Sequence, residues 1–135
     1  MTIAATRPRT RLPYARELAA SAVGYLVATA VLRWTPLPFT IPTKFDSAAA
    51  LIAFASMILF GGLALLLLRS RPHGERLAAA GALTLPVLLG DALETADFAQ
   101  VFPHFDPAAA GVFAAILLFT NFALLGAGLI AERLR

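Results

Sequence analysis

Four long apolar runs, at residues 17–34, 47–68, 77–98 and 107–130, alternate with short polar or proline-rich segments along the chain. As a helix rising about 1.5 Å per residue, a run of about 20 residues crosses the roughly 30 Å hydrocarbon core of a bilayer. The pattern predicts an all-α fold, a four-transmembrane-helix bundle, with two tandem helical hairpins as a candidate arrangement. Residues 1–16 stand apart as a basic arm, because Arg7, Arg9, Arg11 and Arg16 alternate with Pro8 and Pro13 and no continuous apolar helix can form. Residues 17–135 are expected to form a single membrane domain.

The first run, ELAASAVGYLVATAVLRW, carries Ala20, Gly24 and Ala28 at four-residue spacing, a small-residue stripe along which another helix could approach closely. It ends in Arg33-Trp34 rather than in a small-residue cleavage site, so it is expected to be retained as a span and not removed as a signal peptide. Pro36, Pro38 and Pro42 then forbid helix and predict an outer loop, whose Trp34, Phe39 and Phe45 suit the membrane interface. The second run has no charge and stops at Arg69-Ser-Arg71-Pro72-His73-Gly74-Glu75-Arg76, read as a tight, solvated turn. A second outer loop, VFPHFDP, follows the third run, and Asp106 with Pro107 suits the N-cap and first position of the last helix.

Charge sets the orientation. Arg7, Arg9, Arg11, Arg16, Arg69, Arg71, Arg76, Arg133 and Arg135 fall on one side of this arrangement, against Arg33 and Lys44 on the other. Basic loops stay in the cytoplasm, so both termini are predicted to be cytoplasmic. The net charge of +3 is thereby explained as a topology signal, and nucleic acid is not an expected partner. With 59% hydrophobic and 14% charged residues, the expected partner is the lipid bilayer, joined by a second copy in a homo-oligomer or by another membrane protein. The absence of cysteine excludes disulfides, thiolate metal sites and thiol catalysis.

The costly residues lie in the third run. Asp91, Glu94 and Asp97 recur every three residues and form one inclined stripe on a helix. Asp91 lies about 21 Å above the cytoplasmic face, where an ionisable group costs roughly 2.5–3.5 kcal/mol and turns to the bundle interior to pair or be protonated. Phe45-Asp46-Ser47-Ala48-Ala49-Ala50 is echoed 60 residues later by Phe105-Asp106-Pro107-Ala108-Ala109-Ala110, an internal repeat relating two hairpins. Leu18-Ala19-Ala20 is likewise echoed by Leu77-Ala78-Ala79, 59 residues on, and at an offset of 59 or 60 Arg33 falls level with Ala92 or Leu93, which predicts an ion pair with Asp91 or Glu94. Pro86, lacking the N–H that would bond the Ala82 carbonyl, predicts a kink. Asp91, Glu94 and His104 are the weak candidates for a metal site, without the Glu-x-x-His pairing of di-iron bundles, and no metal is expected. Asn121, counted from the opposite face, falls below the acids and is expected to serve interhelical hydrogen bonding. No nucleophile–base set, phosphate loop or nucleotide motif is present, so neither an enzyme nor a cofactor is implied.

LVATAVLRW at 26–34 and LPVLLGDALETADFAQVFPHFDPAAAGVFAAILLF at 85–119 give the chain its resemblance to an uncharacterised family of small four-helix bacterial membrane proteins, a domain of unknown function. The resemblance implies an inner-membrane location, an acidic position at Asp91 and a basic one at Arg33. It implies apolar residues where Glu94 and Asp97 stand, and it brings no activity. The default expectation is a structural or interaction role; the rival is a small proton- or cation-coupled transporter or channel component using the acidic stripe.

Overall fold

A computed structural model describes residues 13–34 and 41–134. Most of the expected basic arm and the Pro36–Phe39 part of the first loop lie outside the described residues. The elements are α1 (Ala15–Trp34), α2 (Ser47–Leu68), α3 (Arg76–Ala96), the short α4 (Phe98–Val101) and α5 (Ala110–Arg133), the last preceded by a 3-10 turn over Pro107–Ala109. Four helices are long and apolar enough to cross a bilayer, and the chain is a multi-pass membrane protein. Leu26 of α1, Leu51 and Phe54 of α2 and Phe122 of α5 are exposed, as side chains solvated by lipid would be.

Aspartates start two of the helices. Asp46 accepts from the Ala48 and Ala49 amides at 2.9 and 3.0 Å, and Asp106 accepts from the Ala108 amide at 2.8 Å with Pro107 behind it. Each satisfies donors that the first helical turn leaves without an intrahelical partner. The third run does not continue to residue 98 as one helix. It breaks at Asp97, whose φ of −127° and ψ of 37° turn the chain so that α4 folds Phe98 and Phe102 over the end of the bundle. Pro86 sits inside α3 without interrupting it.

The long helices pack in the order α1, α3, α5, α2, with α1 parallel to α3, α2 parallel to α5, and the antiparallel α3–α5 pair at the centre. Among the described residues α1 and α2 do not close the ring: both flank one cavity and pack on each other sparsely at most. The two hairpins implied by the repeat therefore differ. The α3–α5 hairpin is a packed pair, whereas α1 and α2 are splayed. The Ala20, Gly24 and Ala28 stripe borders the resulting gap instead of receiving a helix, and a Cβ added at Gly24 would meet nothing within 4 Å.

Two apolar clusters hold the bundle. At one end, the aromatic end, Phe98, Phe102 and Phe113 pack with ring centroids 5.0 to 5.4 Å apart, over Ala49, Ala53 and Ile116. At the opposite, basic end, Ala64, Leu68, Ala79, Ala80, Leu124 and Ala127 pack closely. Gly128 makes this possible, because a Cβ there would lie 2.5 Å from that of Ala80 and 3.4 Å from the Leu77 Cα.

The basic end is also tied by polar contacts. Arg71 grips Glu17 with two hydrogen bonds, Nε to Oε1 at 2.7 Å and Nη2 to Oε2 at 2.5 Å, and lies 5.5 Å over the Tyr14 ring. Arg76 donates to the Leu134 carbonyl at 3.0 Å and to that of Ala131, while Glu132 accepts from the Gly74 amide, where φ is +89°. The turn read as merely solvated thus fastens α1 and α5 to the α2–α3 connection. Replacing Phe102, which is fully buried, by alanine is expected to lower stability by about 3–5 kcal/mol, read from denaturant unfolding in detergent, whereas Phe122→Ala on the lipid face should change it by less than about 0.5 kcal/mol.

Candidate functional site

Between the two apolar clusters lies a polar layer, built on α3. Asp91 and Glu94 are one helical turn apart and only 7% and 5% exposed. Helix α3 turns them inward because Leu85, Leu88, Leu89 and Leu93 occupy its opposite, exposed face. Gly90, between them and Pro86, lets α1 come close: a Cβ at that position would fall within the Tyr25 ring. The Tyr25 ring is thereby seated against α3 at Gly90, on the cavity that both acids line.

Glu94 Oε1 is hydrogen-bonded to the Thr29 hydroxyl, which also lies 3.0 Å from the Tyr25 carbonyl. A hydroxyl has one hydrogen and can accept as well as donate. With Glu94 ionised, Thr29 donates to the carboxylate. With Glu94 protonated, the acid donates to Thr29, which passes its own hydrogen to the Tyr25 carbonyl. Both protonation states are hydrogen-bonded without any movement of the backbone.

Asp91 is held from the other side. Asn121 Nδ2 donates to Asp91 Oδ2 at 2.5 Å and to the Leu117 carbonyl at 3.0 Å. A carbonyl only accepts, so the contact to Leu117 fixes which amide atom faces the acid. Asn121 Oδ1 is buried without a partner among the described residues, and Asp91 Oδ1 receives no donor there either. The expectation that Asn121 lies too low to meet the acids is overturned. Counting rises along each helix locates Cα atoms, but Cβ atoms tilt toward a helix N-terminus. In an antiparallel pair Asp91 therefore leans toward the basic end and Asn121 toward the aromatic end, and the side chains meet.

The other expected partners are not brought together. Arg33 reaches neither acid; its Nη1 donates to the Gln100 and Val101 carbonyls, each at 3.1 Å, at the end of α4. The reason is register. The contacts of α1 with α3 run at separations of 62 for Ser21 to the Leu83 carbonyl and 65 for Thr29 to Glu94, not 59 or 60, so Arg33 arrives above the end of α3. Asp97 is exposed at the helix break, off the stripe, and His104 is exposed in the loop. Among the described residues no group of three His, Cys, Asp or Glu side chains is placed to hold a metal ion, so Asp91, Glu94 and His104 do not converge. Ion pairs among the described residues are those of Arg71 with Glu17 and Glu75, and no basic side chain reaches Asp91 or Glu94.

Both acids line a cavity of about 380 Å³ bordered by α1, α2, α3 and α5. Asp91 and Asn121 also border a shallower groove on the far side of the α3–α5 seam. Sequence reasoning missed Tyr25, Thr29 and the Glu17–Arg71 pair. A signal for the first two existed, since both are hydrogen-bonding residues one turn apart in a run otherwise apolar toward its end. Glu17, separated from Arg71 by 54 residues, had none.

Residues 45–134 match a family described as a family of unknown function, DUF5367. The chain belongs to that family. The match takes in α2 to α5, including both acids and Asn121, and leaves out α1; the resemblance drawn from the sequence had instead rested on the first, third and fourth spans. DUF5367 membership carries no molecular activity, and no curated protein and no solved structure matches the chain.

A double-mutant cycle separates the two pairings. Asp91→Leu and Asn121→Leu are expected to be coupled by about 0.6–1.7 kcal/mol in unfolding free energy. Arg33→Leu combined with Asp91→Leu should be additive within about 0.5 kcal/mol.

Proposed function

We propose that this protein is a small proton- or cation-coupled transporter, or a component of one, in which Asp91 and Glu94 exchange a cation for protons. The observation that carries the reading is the pair of buried carboxylates on the wall of an open cavity, with no basic side chain among the described residues reaching either. A carboxylate at this depth is neutralised by a proton or by a cation, and the exchange of one for the other is the elementary step of coupled transport. The Thr29 hydroxyl supports that step, since it matches Glu94 in either state.

A scaffold or interaction role is the second reading. One observation favours it: the Asp91–Asn121 bond joins the two central helices, as a purely structural polar contact would. The location proposed is a bacterial inner membrane with both termini cytoplasmic, supported by the concentration of arginine at the basic end.

In reconstituted vesicles a pH gradient is expected to drive flux of a monovalent cation, lost in Asp91→Asn and Glu94→Gln; wild-type vesicles silent toward sodium, potassium and organic ammonium ions would leave the scaffold role. The chain has no cysteine, which makes orientation directly measurable. A membrane-impermeant maleimide should label His104→Cys in intact cells and Ser70→Cys only after permeabilisation.

A further inference from the structure

The cavity is far larger than a proton or an inorganic cation requires, and its walls are unequal. The acids, Tyr25 and Thr29 stand on the α1–α3 side, while α2 and α5 present mainly apolar side chains such as Phe60, Leu63 and Phe113. Thr120 on α5 turns its hydroxyl back to the Ile116 carbonyl at 3.0 Å, so that wall offers little to a polar ligand. Asp91 is 7% exposed, lines this space, and has one carboxylate oxygen without a donor among the described residues.

Access is from the side. At the basic end the Glu17–Arg71 pair binds α1 to the turn after α2, and at the aromatic end Phe98, Phe102 and Phe113 cover the bundle. Between these closures α1 and α2 stand apart, with Gly24 and Ala28 exposed on one edge and Phe60 and Leu63 on the other. What faces that gap in a bilayer is acyl chain. Resting on the exchange reading above, we propose that the ligand is a free, singly charged amphiphilic ammonium ion that enters from the lipid between α1 and α2. Its ammonium is held by Asp91 and Glu94, and its hydrocarbon body lies along α2 and α5.

The chemistry excludes neighbouring classes. A neutral apolar molecule leaves the carboxylates uncompensated. A phosphate-bearing headgroup would bring negative charge to a wall with two acids and no basic residue. A multivalent metal ion lacks its donors among the described residues.

The full chain in phosphatidylcholine nanodiscs is titrated with octylammonium and with octan-1-ol, empty nanodiscs serving as the blank, with calorimetry and backbone amide shifts as readouts. The expected result is saturable octylammonium binding that shifts the Gly90 and Tyr25 amides, absent with octan-1-ol, and weakened at least about tenfold by Asp91→Asn or Glu94→Gln, as the loss of a charge-assisted contact predicts. Gly24→Leu, which fills the gap, should slow association. Because wild type alone discriminates ammonium from alcohol, the test holds even where a variant fails to fold. Equal binding of both probes, or no saturable binding, overturns the proposal. Loss of octylammonium binding when phosphatidylethanolamine replaces phosphatidylcholine also overturns it, assigning the cavity to a lipid headgroup. Proton-coupled sodium flux without octylammonium binding sinks this inference and leaves the transport reading; octylammonium binding without any flux does the reverse.

Discussion

Two carboxylates carried through the apolar layer on α3 are the constraint to which the neighbouring helices answer. Glu94 draws Thr29 from α1, and Asp91 draws Asn121 from α5. Gly90 has no side chain because the Tyr25 ring needs its place. Burying such groups is costly unless they are hydrogen-bonded, and each partner comes from a different helix, so the requirement fixes the rotation of three helices about their axes at once. Helix α2 supplies no hydrogen bond to either acid and is free to stand back, which leaves the cavity.

The apolar clusters on either side of this layer serve different ends. Small residues at the basic end allow backbones to come close, with Ala80 seated on Gly128, while Phe98, Phe102 and Phe113 pack together at the aromatic end. In lipid there is no hydrophobic drive between helices, so close backbone approach and ring packing carry the association. A polar layer flanked by two dry ones is confined to one depth; it opens where α1 and α2 part, and Asp91 and Asn121 also reach the groove beyond the α3–α5 seam.

The spans, the all-helical class and the Asp106 cap were legible because they are local: apolar run length and an Asp before a small-residue turn each depend on neighbours in sequence. The pairing of Arg33 was not. An offset taken from the Phe-Asp repeat compares loop positions, while the contact register of α1 on α3 is set by Ser21 and Thr29 and differs by several residues. Asn121 was misplaced for another reason, the direction of side chains along antiparallel helices, which a count of rises omits. That Asp97 leaves the stripe depends on Phe98 and Phe102 finding a shared cluster with Phe113, a tertiary outcome that periodicity does not encode.

The order of the helices along the chain gives the hydroxyl of Thr29 a temporal meaning. Synthesis delivers α1 to the bilayer before α3, and α5 last. When α3 enters with its two acids, the partner of Glu94 is already in place, whereas Asp91 waits for Asn121 to arrive 30 residues later. Helix α1, which lies outside the matched family segment, thus supplies the partner of Glu94, while α5, inside that segment, supplies the partner of Asp91.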